Sequence, residues 1–484
     1  MTWTKPRHFD RNLIVIGAGT GGLIASLVAA KAGAKITLAE AGEMGGDCLN
    51  TGCVPSKALI HMARLAAHAR RGAALGLFGS GGDIDTAVAM RHVRASIATV
   101  APHDSQARYE GMGIDVRRGR ARITSPWSVQ IGTETLTTRA IIIATGAEPA
   151  IPALPGLAPA DYVTSETLWR LERLPGRILI LGGGPIACEL SQAFAQLGIA
   201  VTVLQKASRL LEREDDDVAA LARGVLEREG VRVLTGATAL RVEGQDGHRV
   251  MRVAHDGTEQ DVPFDRILMA AGRKPRISGL GLEGLGIGLT KHGTIDTNHY
   301  LQTLHPNIYA CGDVAGPWQF THAAAHQGWH ASINALFGSL HRIRPDRVVM
   351  PWVTYMDPEI GRAGLNEQEA RAKAIPVEVT RYELRELDRA IVDEAREGFI
   401  KILTAPGTDR ILGVTIVAPR AGEMLAEMVL AMRHGIGLKR VFATIHPYPT
   451  YTEANRDAAG VWRTRHTPAW LPGVLARYHR WMRG

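Results

Sequence analysis

Asn12-Leu13-Ile14-Val15-Ile16-Gly17-Ala18-Gly19-Thr20-Gly21-Gly22 reads as a buried strand running straight into a glycine-rich turn. An apolar helix from Leu23 to Ala32 follows, then a second strand from Lys35 to Ala39 that ends at Glu40. Strand, G-x-G-x-x-G turn, helix, strand and an acid about twenty residues on make the dinucleotide-binding fingerprint. In that geometry Gly17 makes the turn, Gly19 lets a pyrophosphate approach the backbone, and Gly22 lets the helix pack close. The helix N-terminus holds the phosphates, and Glu40 accepts hydrogen bonds from ribose hydroxyls.

Directly downstream lies Gly45-Gly46-Asp47-Cys48-Leu49-Asn50-Thr51-Gly52-Cys53-Val54-Pro55-Ser56-Lys57, which holds two of the 4 cysteines. Pro55 suits the first turn of a helix that continues to about Ala74. A cysteine at a helix N-terminus is favoured as its thiolate by the macrodipole. Lys57, one turn past Cys53, adds a positive charge on roughly the same face. This is how a redox-active dithiol is built. The alternative is a structural pair or a metal half-site. A metal site takes four ligands and the sequence offers no second cysteine pair, so no metal site is expected. Residues 76 to 86 are expected to form a glycine-rich loop, and Ala87 to Met112 a helix. The run Ala140 to Gly146 is a strand that delivers Thr145 and Gly146 to the cofactor.

After a linker punctuated by Pro149, Pro152 and Pro155, a second nucleotide unit begins at Arg177 to Leu181. Its turn is Gly182-Gly183-Gly184-Pro185-Ile186-Ala187, with Ala187 in the third small position, followed by a helix to Leu197 and a strand from Ala200 to Leu204. The strand ends in Gln205 instead of an acid, and Lys206 and Arg209 follow. An acid there would hold the ribose hydroxyls of NADH; basic residues suit the 2′-phosphate of NADPH, which is the preferred reading. The unit closes with Ile267 to Arg273, an echo of Ile141 to Gly146, which places Gly272 and Arg273 at the cofactor and marks a degenerate internal repeat. Asn307 to Val314 is a further strand, and its Gly312-Asp313 end suits a ribityl hydroxyl. Two nucleotide units with a dithiol between them imply an electron relay from nicotinamide through a flavin to a disulfide. His322, in the helix opened by Gln319 to His322, is read as a capping or packing residue before a flavin-facing one.

At 484 residues the chain has room for about two to four domains. Its 53 glycines suit tight turns and phosphate loops, and its net charge of +8 suits anionic cofactors. Outside the C-terminal stretch the basic residues form no dense run, so a nucleic-acid partner is not expected. The polar start and the glycines that interrupt the first apolar run fit neither a signal peptide nor a membrane span, and a cytoplasmic protein is expected. From Pro351 the pattern turns to α+β: strands at Phe399–Leu403 and Ile411–Val417, and a helix from Gly422 to His434. Ile445 to Glu453 then uses two prolines to present His446, Tyr448 and Glu453 in a short span.

These motifs together resemble the pyridine nucleotide–disulfide oxidoreductases along nearly the whole chain. The resemblance implies an α/β fold of two Rossmann-like FAD- and NAD(P)-binding domains plus a C-terminal α+β dimerisation domain. The FAD domain would take residues 1–150 and 274–346, the NAD(P) domain 151–273 and the dimerisation domain 347–465. It implies FAD on the first unit and Asp313, NADPH or NADH on the second, and a homodimer whose active site is completed across the interface. Cys53 is then the thiol against the flavin and Cys48 the interchange thiol that meets the substrate. Lys57 pairs with Glu189, and the partner chain's His446 to Glu453 segment completes the site.

Within the family, dihydrolipoamide dehydrogenase and glutathione reductase carry a catalytic histidine directly before Pro-Thr. Here Pro449-Thr450 and Glu453 match, but the preceding residue is Tyr448. A tyrosine titrates near about 10 and is a poor base at neutral pH; His446, two residues upstream, is the other candidate. Tyr448, the helix around Glu189 and the stretch Gly398-Phe399-Ile400-Lys401 look mercuric-reductase-like. The sequence departs from those enzymes in lacking their terminal cysteine pair, its last cysteine being Cys311. Cys188 and Cys311 are read as buried small hydrophobes. The resemblance thus implies an FAD-dependent, NAD(P)H-oxidising enzyme whose acceptor is a thiophilic metal ion, Hg(II) first, or a small disulfide. The rivals are a dihydrolipoamide dehydrogenase and, in another class, a non-turning-over flavin redox sensor or membrane-recruited partner. Residues 466–484 form a basic amphipathic tail that suits an anionic membrane; packing on the dimer or over the mouth of the site is the preferred reading.

Overall fold

The computed structural model describes residues 3–77, 79, 84–245, 248–345 and 349–484. Residues 78 and 80–83 of the loop expected at 76–86 lie outside the described residues, as do residues 346 and 347, where the FAD and dimerisation spans were expected to meet. The chain divides into two compact units, Met1–Arg209 with Leu226–Asp346, and Leu210–Val225 with Arg347–Gly484.

The first unit carries two parallel sheets. In one, Arg11–Ile16 lies between Ile36–Glu40 and Glu134–Ile143, with Asp115–Arg118 beyond the former and Ile308–Ala310 paired to the latter. Leu13 to Val15 are fully buried, which explains the unbroken apolar run: Leu13 and Val15 pack with Leu23, Ala25 and Ala29 of helix Thr20–Lys31, and Ile14 and Ile16 pack on the other face with Ile123, Val129 and Leu136 of antiparallel strands. In the other sheet Arg177–Leu181 lies between Ala200–Gln205 and Arg266–Met269, flanked by Arg232–Thr235 and Tyr162–Thr164. An antiparallel three-stranded sheet of Thr238–Glu243, Val250–His255 and Thr258–Pro263 is inserted before Arg266–Met269. Both parallel sheets have the strand order of a Rossmann unit, so two α/β nucleotide folds are present.

The helix expected over 87–112 is broken. Thr86–Val100 ends in the 3₁₀ turn Ala101–Asp104, and Gln106–Gly111 starts afresh. Pro102 lacks the N–H that would continue the ladder, and the Ser105 hydroxyl accepts from the Arg108 N–H (3.3 Å) to cap the new helix.

The second unit is a five-stranded antiparallel sheet in the order Pro351–Thr354, Glu359–Gly364, Ile411–Ala418, Phe399–Thr404, Glu378–Glu383. Ile400, Ile402, Val414 and Ile416 face Met424 and Met428 of helix Ala421–Arg433 and Ala458 and Trp462 of helix Glu453–Arg465. The period of two puts Lys401 on the other face. There, 2 % exposed, its ammonium lies 2.9 Å from Asp215, 2.9 Å from Asp217 and 2.8 Å from Glu367. Arg362, 1 % exposed, reaches Glu214 (3.2 Å) and Glu369 (2.9 Å) and lies over the Trp352 ring at 4.2 Å. The acidic run Glu214-Asp215-Asp216-Asp217, within the span expected for the NAD(P) domain, thus belongs to this unit. Helix Leu471–Met482 follows Glu453–Arg465. Among the described residues, no helix is long and apolar enough to cross a membrane.

Candidate active site

Three local features converge in the first unit. Cys48 sits in the short helix Gly46–Asn50, Cys53 is the first residue of helix Cys53–Ala74, and Thr321 is the first residue of helix Thr321–Phe337. The Cys53 sulfur lies 3.2 Å from the Thr321 hydroxyl. Cys48 and Cys53 are free thiols, and a hydrogen bond links their side chains. The bond from the Cys48 thiol, with those from Thr321 and the charge of Lys57, outweighs burial and holds the Cys53 thiol down to about 6. The same bond, with burial, pushes the Cys48 thiol well up. Cys188 and Cys311 are buried; burial pushes Cys188 up and Cys311 up to about 12.

Lys57 donates to Glu189 at 2.8 Å, and the Glu189 side chain is only 7 % exposed. This pair ties the redox helix to helix Pro185–Gln196 of the other α/β fold. A buried carboxylate needs that partner, so Lys57 is fixed in place one turn from Cys53.

Around the first turn, Gly17 has φ +103, and a Cβ there would stand 2.4 Å from the Ala144 carbonyl oxygen. A Cβ on Gly22 would stand 1.8 Å from the Gly17 oxygen, so the helix packs close only because this residue is glycine. Helices Thr20–Lys31 and Pro185–Gln196 both start at a glycine, Gly19 and Gly184, which has no side chain to cap the first-turn N–H groups. Those groups fit the pyrophosphate of a dinucleotide. Glu40 accepts from the N–H groups of Ala18 (2.6 Å) and Gly42 (2.5 Å), which fixes its carboxylate beside the turn. Thr145 donates to the Arg276 carbonyl at 2.7 Å, beside Gly146. Gly182 repeats the role of Gly17 against Ala270, and Ala187 is fully buried. Gln205 is buried and donates to the Arg209 carbonyl (3.4 Å); Lys206 is exposed.

After Gly272, Arg273 pairs with Asp47 of the redox stretch and lies 3.7 Å from Asp313. Burial pushes the Asp313 carboxyl up, with Arg273 opposing. These groups fit FAD: a carboxylate for a polyol hydroxyl, amides for phosphates, and a thiolate beside a lysine. His322 stacks flat on Phe320, centroids 5.4 Å apart, and Phe320 stacks on Trp318.

In the second unit, His446 is held at both ring nitrogens, by the Thr444 carbonyl (2.9 Å) and by Glu427 (2.9 Å), whose other oxygen accepts from Asn455 (2.8 Å). Tyr448 is 71 % exposed and its phenol donates to Asp388 at 2.9 Å, a bond that raises its pKa above the usual tyrosine value. Glu453 is buried, accepting from the Thr450 N–H (3.0 Å) and facing Arg456 (3.2 Å).

Thr321 escaped sequence reasoning because 268 residues separate it from Cys53. Thr321→Val keeps the shape and removes the donor. It should raise the Cys53 thiol by about one pH unit, the worth of one bond to a charged acceptor. The ultraviolet thiolate absorbance of the reduced protein, titrated with pH, reads this directly; an unmoved midpoint would show that the hydroxyl does not serve the thiolate.

Comparison with known proteins places this geometry. Residues 11–328 match the family described as pyridine nucleotide-disulphide oxidoreductase, and residues 350–459 match its dimerisation domain. A mercuric reductase of Staphylococcus aureus is 33% identical over 453 residues, 94% of this chain and 82% of that protein. A dihydrolipoyl dehydrogenase of Thermus scotoductus is 37% identical over 455 residues, 93% of this chain and 96% of that protein. Among solved structures, the Cu(II) complex of the HOCl-induced flavoprotein disulfide reductase RclA from Escherichia coli superposes with a TM-score of 0.82 at 28% identity, covering 93% of this chain and 99% of that one.

Proposed function

Because this chain belongs to the pyridine nucleotide–disulphide oxidoreductase family, whose members use FAD and a pyridine nucleotide, we propose that it is an NADPH-oxidising flavoprotein reductase of mercuric-reductase type. Its electrons leave through the Cys48–Cys53 disulfide to a thiophilic acceptor, Hg(II) or another soft metal ion first, or a small disulfide. The observation that carries the reading is the geometry of the dithiol: Cys53 opens its helix 3.2 Å from the Thr321 hydroxyl, with Cys48 on the short helix before it and Lys57, held by Glu189 at 2.8 Å, one turn on. Bound FAD supplies the two-electron link between the reduced nicotinamide and the disulfide. When the S–S bond takes up an electron pair and one proton, the charge settles on Cys53, stabilised by Thr321 and Lys57. The proton settles on Cys48, the interchange thiol. With a disulfide acceptor, Cys48 sulfur bonds to one acceptor sulfur and the other leaves with the proton. Cys53 sulfur then attacks Cys48, closing the internal disulfide and releasing the second acceptor sulfur as a thiolate, which takes its proton from solvent.

The match to a dimerisation domain supports a homodimer, in which the partner subunit's Tyr448 and Glu453 complete the site. Tyr448, exposed and with its pKa raised, serves there as a hydrogen-bond donor or ligand. His446, with both nitrogens already on acceptors, orients the segment. A dihydrolipoyl dehydrogenase activity is the second reading, favoured by the 37% identity to that enzyme and opposed by Tyr448. Anaerobic NADPH oxidation by the flavin-loaded protein, with thiol-complexed Hg(II), Cu(II) and lipoamide offered in parallel, decides. Turnover with a metal ion and none with lipoamide supports the proposal; turnover with lipoamide alone overturns it.

The cofactor preference rests on Lys206 and Arg209 following Gln205. Lys206→Gln with Arg209→Gln should lower kcat/KM for NADPH by about tenfold per residue and leave NADH unchanged. An equal loss with both cofactors would dismiss the phosphate contact.

A further inference from the structure

We propose that helix Leu471–Met482 is an in-plane anchor that seats this protein on a phospholipid bilayer carrying anionic headgroups. In the second unit, Leu471 is half-buried and every other residue of the helix is exposed, so its own chain leaves its apolar face open. Trp481 is 76 % exposed and Trp470, at the N-cap, 65 %. At 3.6 residues per turn, Trp470, Leu471, Val474, Leu475, Tyr478, Trp481 and Met482 fall within an arc of roughly 140°, and Arg477, Arg480 and Arg483 fall outside it. The two tryptophans mark one edge of the arc, next to Arg477, where an amphipathic ring meets headgroups.

The charge says what covers this face. From Arg463 to Gly484 the chain carries Arg463, Arg465, Arg477, Arg480 and Arg483 and no Asp or Glu. A surface of that composition complements lipid phosphate. It does not complement itself: two copies packed face to face would bring Arg477, Arg480 and Arg483 together without a carboxylate. They would also bury only a few hundred Å² on the order of one helix face, short of the roughly 800 Å² per partner of a stable interface. The helix lies beyond the 350–459 span that matches the dimerisation domain, so the face is not accounted for by that domain.

The test uses the full flavin-loaded chain sedimented with phosphatidylcholine vesicles, with and without phosphatidylglycerol, across a salt series. Binding should require phosphatidylglycerol and weaken as salt rises. Arg477→Gln with Arg480→Gln and Arg483→Gln should cut the partition coefficient roughly a hundredfold, about fivefold per arginine. Trp481→Ala should weaken it with all charges kept. Because these side chains are exposed, the variants should keep the wild-type unfolding midpoint. Equal binding to both vesicle types, or wild-type binding by the triple variant, overturns the proposal. So does failure to sediment; a mass that falls in the triple variant by light scattering would then assign the face to a second copy.

Discussion

Cys48→Ala should lose acceptor-dependent turnover by roughly a thousandfold or more, because the variant has no thiol to receive the acceptor. The first, stoichiometric oxidation of NADPH by the flavin-loaded protein should survive, since it needs only the dinucleotide sites. A second effect goes with it. The bond from Cys48 is the largest influence holding Cys53 down to about 6. Without it, the Cys53 thiolate absorbance should appear only at higher pH, by more than the shift expected for Thr321→Val. Rapid-mixing kinetics and a thiolate titration on the same variant check both. Retained multiple turnover would mean that the acceptor is reduced elsewhere and that the disulfide is a bystander.

Lys401→Met should destabilise the second unit by about 3–5 kcal/mol, because it removes the buried cation that Asp215, Asp217 and Glu367 share and leaves Asp217 with Arg381 alone (2.5 Å). For a unit of this size the unfolding midpoint should fall by about 10 °C. Burial works against both partners, but the carboxylates still hold the Lys401 pKa raised, and Lys401 with Arg381 holds Asp217 lowered. The raised lysine contributes stability that is complete below its unfolded value and is lost as pH climbs through the folded one. The lowered Asp217 contributes stability present above its unfolded value, near about 4, and lost as pH falls through the folded one. The gap between wild type and Lys401→Met should therefore be widest near neutral pH and close in acid, where the orphaned carboxylates take up protons. Thermal melts along a pH series measure it; a gap that stays constant into acid would show that the cluster is not the cause.

The two nucleotide folds were legible because each is written in about thirty consecutive residues: strand, glycine turn, helix, strand. The redox stretch was legible for the same reason, since Cys48, Cys53, Pro55 and Lys57 set one another's environment locally. What the sequence hid lies at long range. Nothing near Thr321 announces a sulfur 268 residues away, and nothing near Lys401 announces Asp217, 184 residues upstream. The segment Glu214 to Asp217 lies within the span expected for the NAD(P) domain, and only tertiary packing buries Glu214 and Asp215 in another unit. Glu427 was invisible as the partner of His446 because a helix face does not say what it meets. The break at Pro102 was local and readable, yet a single helix was expected over Ala87 to Met112.

The acidic segment gives the chain an order of assembly. Glu214, Asp215 and Asp217 leave the ribosome long before Arg362 and Lys401, whose charges they balance together with Glu367 and Glu369. A fragment cut at the family boundary, beginning at Met350, would carry both cations with part of their counter-charge missing. What looks in sequence like a self-sufficient C-terminal module takes part of its interior counter-charge from Asp217, 184 residues before Lys401, a contact of the high sequence separation that slows folding.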